Sequence, residues 1–291
     1  MDNVPNVTGY TQAIGLIGTP IKHSLSPALH TASFAHMGVD YVYLAFDVSP
    51  DQLEASARGM QAMGFAGYNV TMPHKTVVHR YLDELSDAAE LMGAVNCVDL
   101  KDGKAVGHNT DGAGFMRNLK ECGVDIIGKK MTIVGAGGAG SAVFTQAALD
   151  GVAEIDVFNV KDEFFAAAEN RIGNVRERTS CVVTLHDLDD KADLQASVAE
   201  STLFVNASRV GMVPMDDQST LPEEFMRPDL VVADTVYNPH VTSMLRAAQA
   251  QGSKTVGGLG MMMWQAALGE EIWTGKHMDI PFIENLFFKH E

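Results

Sequence analysis

The chain has 291 residues, of which 46% are hydrophobic and 20% are charged. This length and composition provide enough apolar side chains for a large core, favour two domains over one, and exclude extensive disorder. The 21 basic and 37 acidic residues give a formal net charge of −16. Because an acidic surface repels phosphate backbones, we expect no nucleic-acid partner.

The cysteines and histidines indicate neither disulfides nor a metal site. Cys97, Cys122 and Cys181 have spacings that fit neither a zinc site nor a CxxC motif. The ten histidines are scattered, without HxH or HExxH pairs. Reduced thiols are typical of a cytoplasmic protein. No apolar run approaches ~18 residues, so we expect no membrane partner.

Strands and helices alternate in the first third of the chain. The apolar run 13–18 predicts a strand, and Ser26 with Pro27 predicts the start of a helix that Ser26 caps. Aromatic and β-branched residues predict further strands, and the turn at 101–103 predicts a β-hairpin. The further expected strands are 41–48, 65–71, 95–100 and 104–108, and the expected helices are 75–85 and 87–92.

From residue 130 onward, the pattern is one of strands separated by helices. A helix over 112–123 leads into this region, and the segment from Gly260 is helical again. Strands that alternate with helices predict a parallel, doubly wound sheet of the Rossmann type. The expected strands are 131–134, 155–158, 182–185, 203–206 and 230–233, with a helix over 141–149.

A glycine-rich loop joins the first strand and the first helix of that region. The loop matches G-x-G-x-x-G and consists of Gly135, Ala136, Gly137, Gly138, Ala139 and Gly140. In such a loop the first glycine permits the tight turn, the second lets a pyrophosphate approach the backbone, and the third allows close helix packing. The loop therefore predicts dinucleotide binding. The alternative is a glycine-rich turn without a ligand.

The residues after the second strand of the region bear on the choice of cofactor. They are Asn159, Val160, Lys161 and Asp162. An acidic side chain at this place binds the ribose hydroxyls of NAD, whereas arginines bind the 2′-phosphate of NADP. Asp162 could reach the ribose, and it could equally cap the helix that follows.

Two polar clusters, 69–75 and 109–112, follow apolar stretches, where a strand would deliver side chains to a cleft. The first carries Lys75 and the second carries Asp111. When a hydride leaves a carbinol carbon, the hydroxyl proton must leave too, and a lysine oriented by a carboxylate can relay that proton. Beside a dinucleotide loop, the two residues predict a catalytic pair. Taken singly, Lys75 could be an exposed helix lysine and Asp111 an N-cap.

Ser24 and Ser26 lie two residues apart. In an extended segment their hydroxyls face the same way and could bind a carboxylate. The pair therefore favours a small anionic substrate. For Ser26, the helix cap described above is the alternative.

Eight short motifs occur in this chain in the order in which one family carries them. They are His23-Ser24-x-Ser26-Pro27, Asn69-Val70-Thr71-x-Pro73-x-Lys75, Gly93-Ala94-Val95-Asn96, Asn109-Thr110-Asp111-Gly112, Gly135-Ala136-Gly137-Gly138-Ala139, Asn206-Ala207-Ser208-x-x-Gly211-Met212, Asp234-x-x-Tyr237-x-Pro239 and Gly260-Met261-x-x-x-Gln265-Ala266. The chain resembles shikimate dehydrogenases over nearly its whole length. The run from Phe158 through Asp162, Glu163 and Phe164 to Phe165 is more similar to the quinate/shikimate dehydrogenase branch.

The resemblance implies reversible oxidation of a ring hydroxyl of shikimate to give 3-dehydroshikimate. By position, it implies that Lys75 is the acid/base residue, that Asp111 lies beside it, and that Ser24 and Ser26 hold the substrate carboxylate with Tyr237 nearby. The residues that would hold ring hydroxyls are Asn69, Thr71, Asn96, Asp111 and Gln265. The residues implied in cofactor binding are Gly135, Ala136, Gly137, Gly138, Ala139, Asn159, Lys161, Asp162, Asn206 and Gly258.

The resemblance also implies two α/β domains with the active site in the cleft between them. The substrate-binding domain would be 1–112, completed by helices in 256–291, and the Rossmann cofactor domain would be 113–255. Members of the family that use NADP carry Asn-Arg-Thr after the second strand, where this chain has Asn159, Val160 and Lys161. The missing arginine and the charge of Asp162 predict a preference for NAD, while Lys161 keeps NADP use open.

Two alternatives to a shikimate dehydrogenase stay open at this point. One is a non-catalytic protein that senses quinate or shikimate, although such a protein would need neither Lys75 nor Asp111. The other is a dehydrogenase of an amino-substituted ring acid. Quinate also stays open as a substrate, and so does assembly into a homodimer.

Overall fold

The computed structural model describes residues 7–163 and 165–288. They form two compact units. The first comprises the residues up to Thr110 together with those from Ala266 onward, and the second is Asp111–Gln265. The second unit extends past the expected boundary at 255, because the long helix Gly258–Thr274 is divided between the units.

A six-stranded sheet forms the centre of the first unit. Its strands are β1 (Gln12–Gly18), β2 (Tyr41–Asp47), β3 (Gly67–Val70), β4 (Glu84–Leu85), β5 (Cys97–Asp99) and β6 (Val106–His108). They lie in the order β2-β1-β3-β5-β6-β4. The central strand β1 is parallel to β2 and β3, and β5 is antiparallel to β3 and β6. The predicted hairpin is therefore confirmed as β5 and β6.

Three helices of the first unit connect these strands. They are α1 (Ser26–Met37), α2 (Leu53–Ala62) and α3 (Asp87–Met92). The α-helix expected over 75–85 does not form, and the 3-10 helices His74–Thr76 and Val78–Tyr81 followed by β4 take its place. The three β-branched side chains at 76–78 disfavour an α-helix. Residues 84–85 pair with β6 instead.

The second unit is built on a parallel six-stranded sheet. Its strands are β7 (Lys130–Val134), β8 (Glu154–Asn159), β9 (Val182–Asp187), β10 (Leu203–Asn206), β11 (Val231–Asp234) and β12 (Lys254–Val256). The order β12-β11-β10-β7-β8-β9 reverses direction between β7 and β10, and every pair in it is parallel. The predicted doubly wound α/β fold is confirmed. In such sheets, ligands bind at the carboxyl ends of the strands near the reversal.

The following helices lie wholly or partly in the second unit. They are α4 (Thr110–Glu121), α5 (Gly138–Asp150), α6 (Phe165–Arg178), α7 (Lys191–Glu200), α8 (Ser243–Ala250) and α9 (Gly258–Thr274). A last helix, α10 (Ile280–Phe287), belongs to the first unit. Within the described ranges 7–163 and 165–288, no helix is long and apolar enough to cross a membrane.

Trp273 fixes the end of α9 in the core of the first unit. Its side chain is buried, and its indole nitrogen donates a hydrogen bond of 3.0 Å to the carbonyl oxygen of Val98 in β5. The neighbouring strand makes room for the ring at Gly67, where a Cβ atom would lie 2.3 Å from the same nitrogen. The C-terminal part of the chain is thus an integral part of the first core.

Candidate active site

The residues expected to bind substrate lie in both units. Those in the first unit are Ser24, Ser26, Asn69, Thr71, Lys75 and Asn96, and those in the second are Asp111, Tyr237 and Gln265. In the first unit, Ser24 and Ser26 follow β1, and Thr71 and Lys75 follow β3, a strand that is adjacent and parallel to β1. Asn69 lies in β3 itself, and Asn96 directly precedes β5. The Thr71 amide donates to the carbonyl oxygen of Ile17 at 2.9 Å, which ties the ends of β1 and β3 together.

The two serines lie where the loop after β1 enters α1. The Ser24 hydroxyl accepts a hydrogen bond of 3.2 Å from the Ser26 amide. Ser26 is the first residue of α1, and the N-cap is Leu25, which makes no side-chain cap. The prediction that Ser26 caps the helix is therefore wrong, because Ser24 satisfies the backbone at this point. The Ser26 hydroxyl is not used as a cap, which agrees with a binding role.

Asn69 in β3 has its carboxamide held at both ends. Its Oδ1 accepts a hydrogen bond of 2.6 Å from the Tyr43 hydroxyl, and its Nδ2 donates at 2.9 Å to the carbonyl oxygen of Asn96. The side chain is nearly buried, at 9% exposure. The amide therefore has one fixed orientation in the protein.

A series of backbone and side-chain hydrogen bonds connects Lys75 to the start of α4. Lys75 is half-buried in a 3-10 helix, and its carbonyl oxygen accepts from the Val95 amide at 2.8 Å. The next residue, Asn96, accepts from the Thr110 amide at 2.8 Å and donates to the Thr110 hydroxyl at 2.9 Å. Asp111 follows Thr110 and is the second residue of α4, within its first turn. Lys75 and Thr110 are thus each hydrogen-bonded to one of two adjacent residues, Val95 and Asn96.

The glycine loop after β7 has two glycines that the backbone requires. Gly135 has a φ of +105°, which favours glycine, and a Cβ atom there would lie 2.8 Å from the Ala207 carbonyl oxygen. A Cβ atom on Gly140 would lie 1.9 Å from the carbonyl oxygen of Gly135. The turn and the close helix packing expected from the sequence are both confirmed by these contacts.

The remaining loop glycines leave open space at the start of α5. A Cβ atom on Gly137 or Gly138 would meet no atom within 4 Å. Gly137 is the N-cap of α5, and no side chain caps this helix. Backbone N–H groups and the positive end of a helix dipole attract phosphate. The loop residues 135–139 therefore fit the pyrophosphate of a dinucleotide.

Asn159 and Arg171 hold the backbone of Ala136 within this loop, together with the Ser141 hydroxyl, which donates to the Ala136 carbonyl oxygen at 3.2 Å. Asn159 at the end of β8 accepts from the Ala136 amide at 3.0 Å, and Arg171 of α6 donates to the Ala136 carbonyl oxygen at 3.0 Å. Burial lowers the pKa of Arg171. Arg171 is absent from the sequence-based set, although its spacing from the buried Ala168 and Val175 places it on the inner face of α6.

The residues after β8 are exposed to solvent. They are Val160, Lys161 and Asp162. The ammonium group of Lys161 lies 6.0 Å from the centre of the Phe165 ring. Phe164, which belongs to the motif quoted above, lies outside the described residues. Because water screens charges strongly, Asp162 repels a neighbouring phosphate only weakly.

The side chain of Asn206, at the end of β10, is hydrogen-bonded to nearby residues. Its Nδ2 donates at 2.9 Å to Asp234 and at 2.8 Å to the Val210 carbonyl oxygen. Asp234 also accepts from the Val236 amide at 2.9 Å and from the Thr242 hydroxyl at 2.7 Å. Burial raises the pKa of Asp234 to about 6, against the opposing effect of these three donors. Asn206 and Asp234 therefore fix the loops that follow β10 and β11.

Three further predicted residues lie in α9 or after β11. Gly258 begins α9, Gln265 lies in the middle of that helix, and Tyr237 follows β11. Gly258 packs so closely that a Cβ atom would lie 2.5 Å from the carbonyl oxygens of Thr235 and Val236. Gln265 donates at 3.0 Å to the Met262 carbonyl oxygen of its own helix. Tyr237 is 48% exposed. Their roles toward substrate and cofactor stay predictions.

Comparison with known proteins covers both units. A family model described as the shikimate dehydrogenase substrate binding domain matches residues 16–98. A relative from Listeria monocytogenes, named shikimate dehydrogenase (NADP(+)), is 52% identical over 97% of each chain. One of the same name from Streptococcus uberis is 46% identical over 98% of each chain.

The chain belongs to the shikimate dehydrogenase family. The resemblance inferred from the eight motifs is confirmed, and so is the expectation of an oxidoreductase. A crystal structure of the Listeria monocytogenes shikimate 5-dehydrogenase in complex with shikimate and NAD has a TM-score of 0.96. It is 51% identical and covers 98% of this chain and 99% of that one. A non-catalytic sensor is not favoured.

The predicted preference for NAD over NADP is wrong. The relatives from Listeria monocytogenes and Streptococcus uberis are both named as NADP(+) enzymes. The prediction assumed that Asp162 repels the 2′-phosphate in a partly desolvated pocket, but the side chain is exposed. Lys161 beside it also carries the opposite charge.

The loop glycines allow a test that separates cofactor binding from folding. In Gly137→Ala the new methyl group enters open space, so we expect a free energy of unfolding within about 0.5 kcal/mol of the wild type. The same methyl group should weaken NADPH binding roughly tenfold, measured by fluorescence titration. The control Gly140→Ala should lose roughly 1–3 kcal/mol of stability by overpacking. Normal NADPH affinity in Gly137→Ala would contradict the assigned pyrophosphate site.

The raised pKa of Asp234 predicts a pH effect on stability. The unfolded chain ionises this group near its ordinary value, so the folded protein loses stability as pH rises toward and past about 6. Asp234→Asn removes this loss, so the variant should gain roughly 1–2 kcal/mol relative to the wild type between about pH 5 and about pH 8. Urea unfolding at both pH values measures the gain. The exposed Asp189→Asn should show none, and an equal gain there would contradict the assignment.

Proposed function

We propose that the protein catalyses the reversible oxidation of shikimate to 3-dehydroshikimate with NADP+ as the hydride acceptor. The observation that carries this proposal is the 52% identity to a shikimate dehydrogenase (NADP(+)) over 97% of the chain, because that identity includes both units. The Listeria monocytogenes structure with bound shikimate supports the substrate. The test is the near-ultraviolet absorbance of reduced nicotinamide after shikimate and NADP+ are added.

Proton transfer in this proposal belongs to Lys75. NADP+, when bound, accepts the hydride from the ring carbon. Lys75 takes the proton of the reacting hydroxyl, and the Asp111 carboxylate orients both groups. The hydrogen bonds of Val95 with Lys75 and of Asn96 with Thr110 support this proposal, since Asp111 directly follows Thr110 in the chain.

The other roles follow the motifs of the family. Ser24 and Ser26 bind the carboxylate, with Tyr237 nearby. Asn69, Thr71, Asn96 and Gln265 bind the ring hydroxyls. The cofactor is held by residues 135–139 at the pyrophosphate and by Asn159, Lys161, Asp162, Asn206 and Gly258 elsewhere. Two observations support these roles: the Asn69 amide has a fixed orientation, and the Ser26 hydroxyl does not cap α1.

Quinate is the second substrate to assay. It differs from shikimate by hydration of the ring double bond, and we expect a lower kcat/KM because the serine pair matches the shikimate pattern. A cytoplasmic location and a homodimer stay predictions from the sequence.

Lys75→Ala should abolish most turnover. General acid–base groups contribute ~10²–10⁴-fold, and the loss falls mainly on kcat rather than on KM. Steady-state kinetics with shikimate and NADP+ measure both constants. The control Lys104→Ala removes an exposed lysine that pairs with Glu84 and should leave kcat unchanged. A Lys75→Ala variant that retains more than about a tenth of the wild-type kcat would exclude this role.

Lys161→Ala should lower kcat/KM for NADP+ more than kcat/KM for NAD. Lys161 is the cation beside the expected 2′-phosphate, and because it is exposed the loss should be roughly five- to tenfold in kcat/KM for NADP+. NAD lacks that phosphate, so its kcat/KM should change by less than about twofold. Lys191→Ala, at an exposed lysine of α7, is the control. Equal losses of kcat/KM with both cofactors would show that Lys161 does not bind the 2′-phosphate.

A further inference from the structure

The buried hydroxyl of Tyr43 lies next to a predicted substrate residue. Tyr43 is in β2, and its hydroxyl reaches Asn69 of β3 at 2.6 Å, past the intervening strand β1. The Tyr43 side chain is 2% exposed. The contact is therefore a buried hydrogen bond between strands that are not neighbours in the sheet.

This hydrogen bond determines which way the Asn69 amide faces. A carbonyl oxygen only accepts, so Tyr43 must donate to Oδ1. Nδ2 then lies against the carbonyl oxygen of Asn96 and donates to it at 2.9 Å. A flipped amide would place two acceptors in contact at that position. One N–H of Asn69 and one lone pair of its oxygen remain for a ligand.

The hydroxyl of Tyr43 keeps its proton. Burial raises its pKa well above the ordinary value, and the nearby Cys97 and Glu270 raise it too. The Ser26 side chain opposes these effects on the pKa. Tyr43 thus donates a hydrogen bond, through a proton that it retains, to Asn69, one of the residues that the proposed function assigns to substrate binding.

The ring of Tyr43 is fixed from its face. The imidazole of His30 stacks on it, with ring centres 4.4 Å apart and planes inclined by 15°. His30 Nδ1 lies 2.6 Å from one carboxyl oxygen of Glu270, and the Ser33 hydroxyl donates at 2.6 Å to the other. Glu270 is fully buried. The side chains of α1 and α9 therefore prevent Tyr43 from turning away from Asn69.

We propose that Tyr43 is a positioning residue for the substrate. Its hydroxyl holds the Asn69 carboxamide with one N–H directed at a ring hydroxyl of shikimate. Tyr43 itself touches no reacting atom. This inference rests on the proposed function, because it assigns how one residue of that site is oriented.

Tyr43→Phe removes the hydroxyl and keeps the ring. The loss of one buried hydrogen bond to Asn69 should raise KM for shikimate roughly five- to tenfold. We expect kcat and KM for NADP+ to stay within about twofold, because the proposed function assigns proton transfer and cofactor binding to other residues. If Tyr43 had only a structural role, the substitution would change kcat, KM for shikimate and KM for NADP+ together, or would change none of them.

A matched control is available one residue before Asn69. Tyr68 is fully buried, and among the described residues its hydroxyl has no hydrogen-bond partner. Tyr68→Phe makes the same chemical change at a comparable depth in the same unit. It should leave KM for shikimate within about twofold of the wild type, and equal changes in both variants would overturn the proposal.

A double variant tests whether Tyr43 acts through Asn69. Asn69→Ala alone should raise KM for shikimate, and adding Tyr43→Phe should then change it by less than about twofold. A further rise of fivefold or more in the double variant would overturn the proposal. An active wild type with unchanged KM in Tyr43→Phe would overturn this inference alone. A wild type without shikimate-dependent reduction of NADP+ would overturn the proposed function and this inference with it.

Discussion

The hydrogen bonds between Asn96 and Thr110 are the constraint on which the candidate site depends. They fix both ends of the Asn96 carboxamide and the first residue of α4. The backbone of the same asparagine accepts from Asn69, and its neighbour Val95 holds Lys75. Because a buried amide that loses a partner costs free energy, Lys75, Asn69 and Thr110 keep a common arrangement. Asp111 follows directly in the chain.

The parts of the site that the sequence predicts are those set by local backbone rules. The glycine loop is recognisable because φ at Gly135 and the contact at Gly140 each tolerate no Cβ atom. Tyr43 and Arg171 are not recognisable in this way, since each acts through contacts with a distant segment. The α-helix expected over 75–85 does not form, because the β-branched side chains at 76–78 disfavour it and residues 84–85 pair with β6.

The cofactor prediction failed for a different reason. The prediction gave Lys161 and Asp162 the correct charges, and therefore the correct sign of interaction with a phosphate. It placed them in a desolvated pocket, which overestimates the strength of the interaction. The sign of an interaction can be read from residue types, whereas its size depends on exposure, and both residues are exposed. The relatives named for NADP(+) contradict the preference that was inferred from the acidic residue.

The first unit is built from two segments of the chain that are separated by the whole second unit. Its core needs Glu270, whose partner His30 lies 240 residues earlier, and Trp273, which bonds Val98. A chain emerging from the ribosome therefore has all of Asp111–Gln265 before it has these two side chains. The second unit can fold while the chain is still growing, but the first cannot close its core until Glu270 and Trp273 have been synthesised.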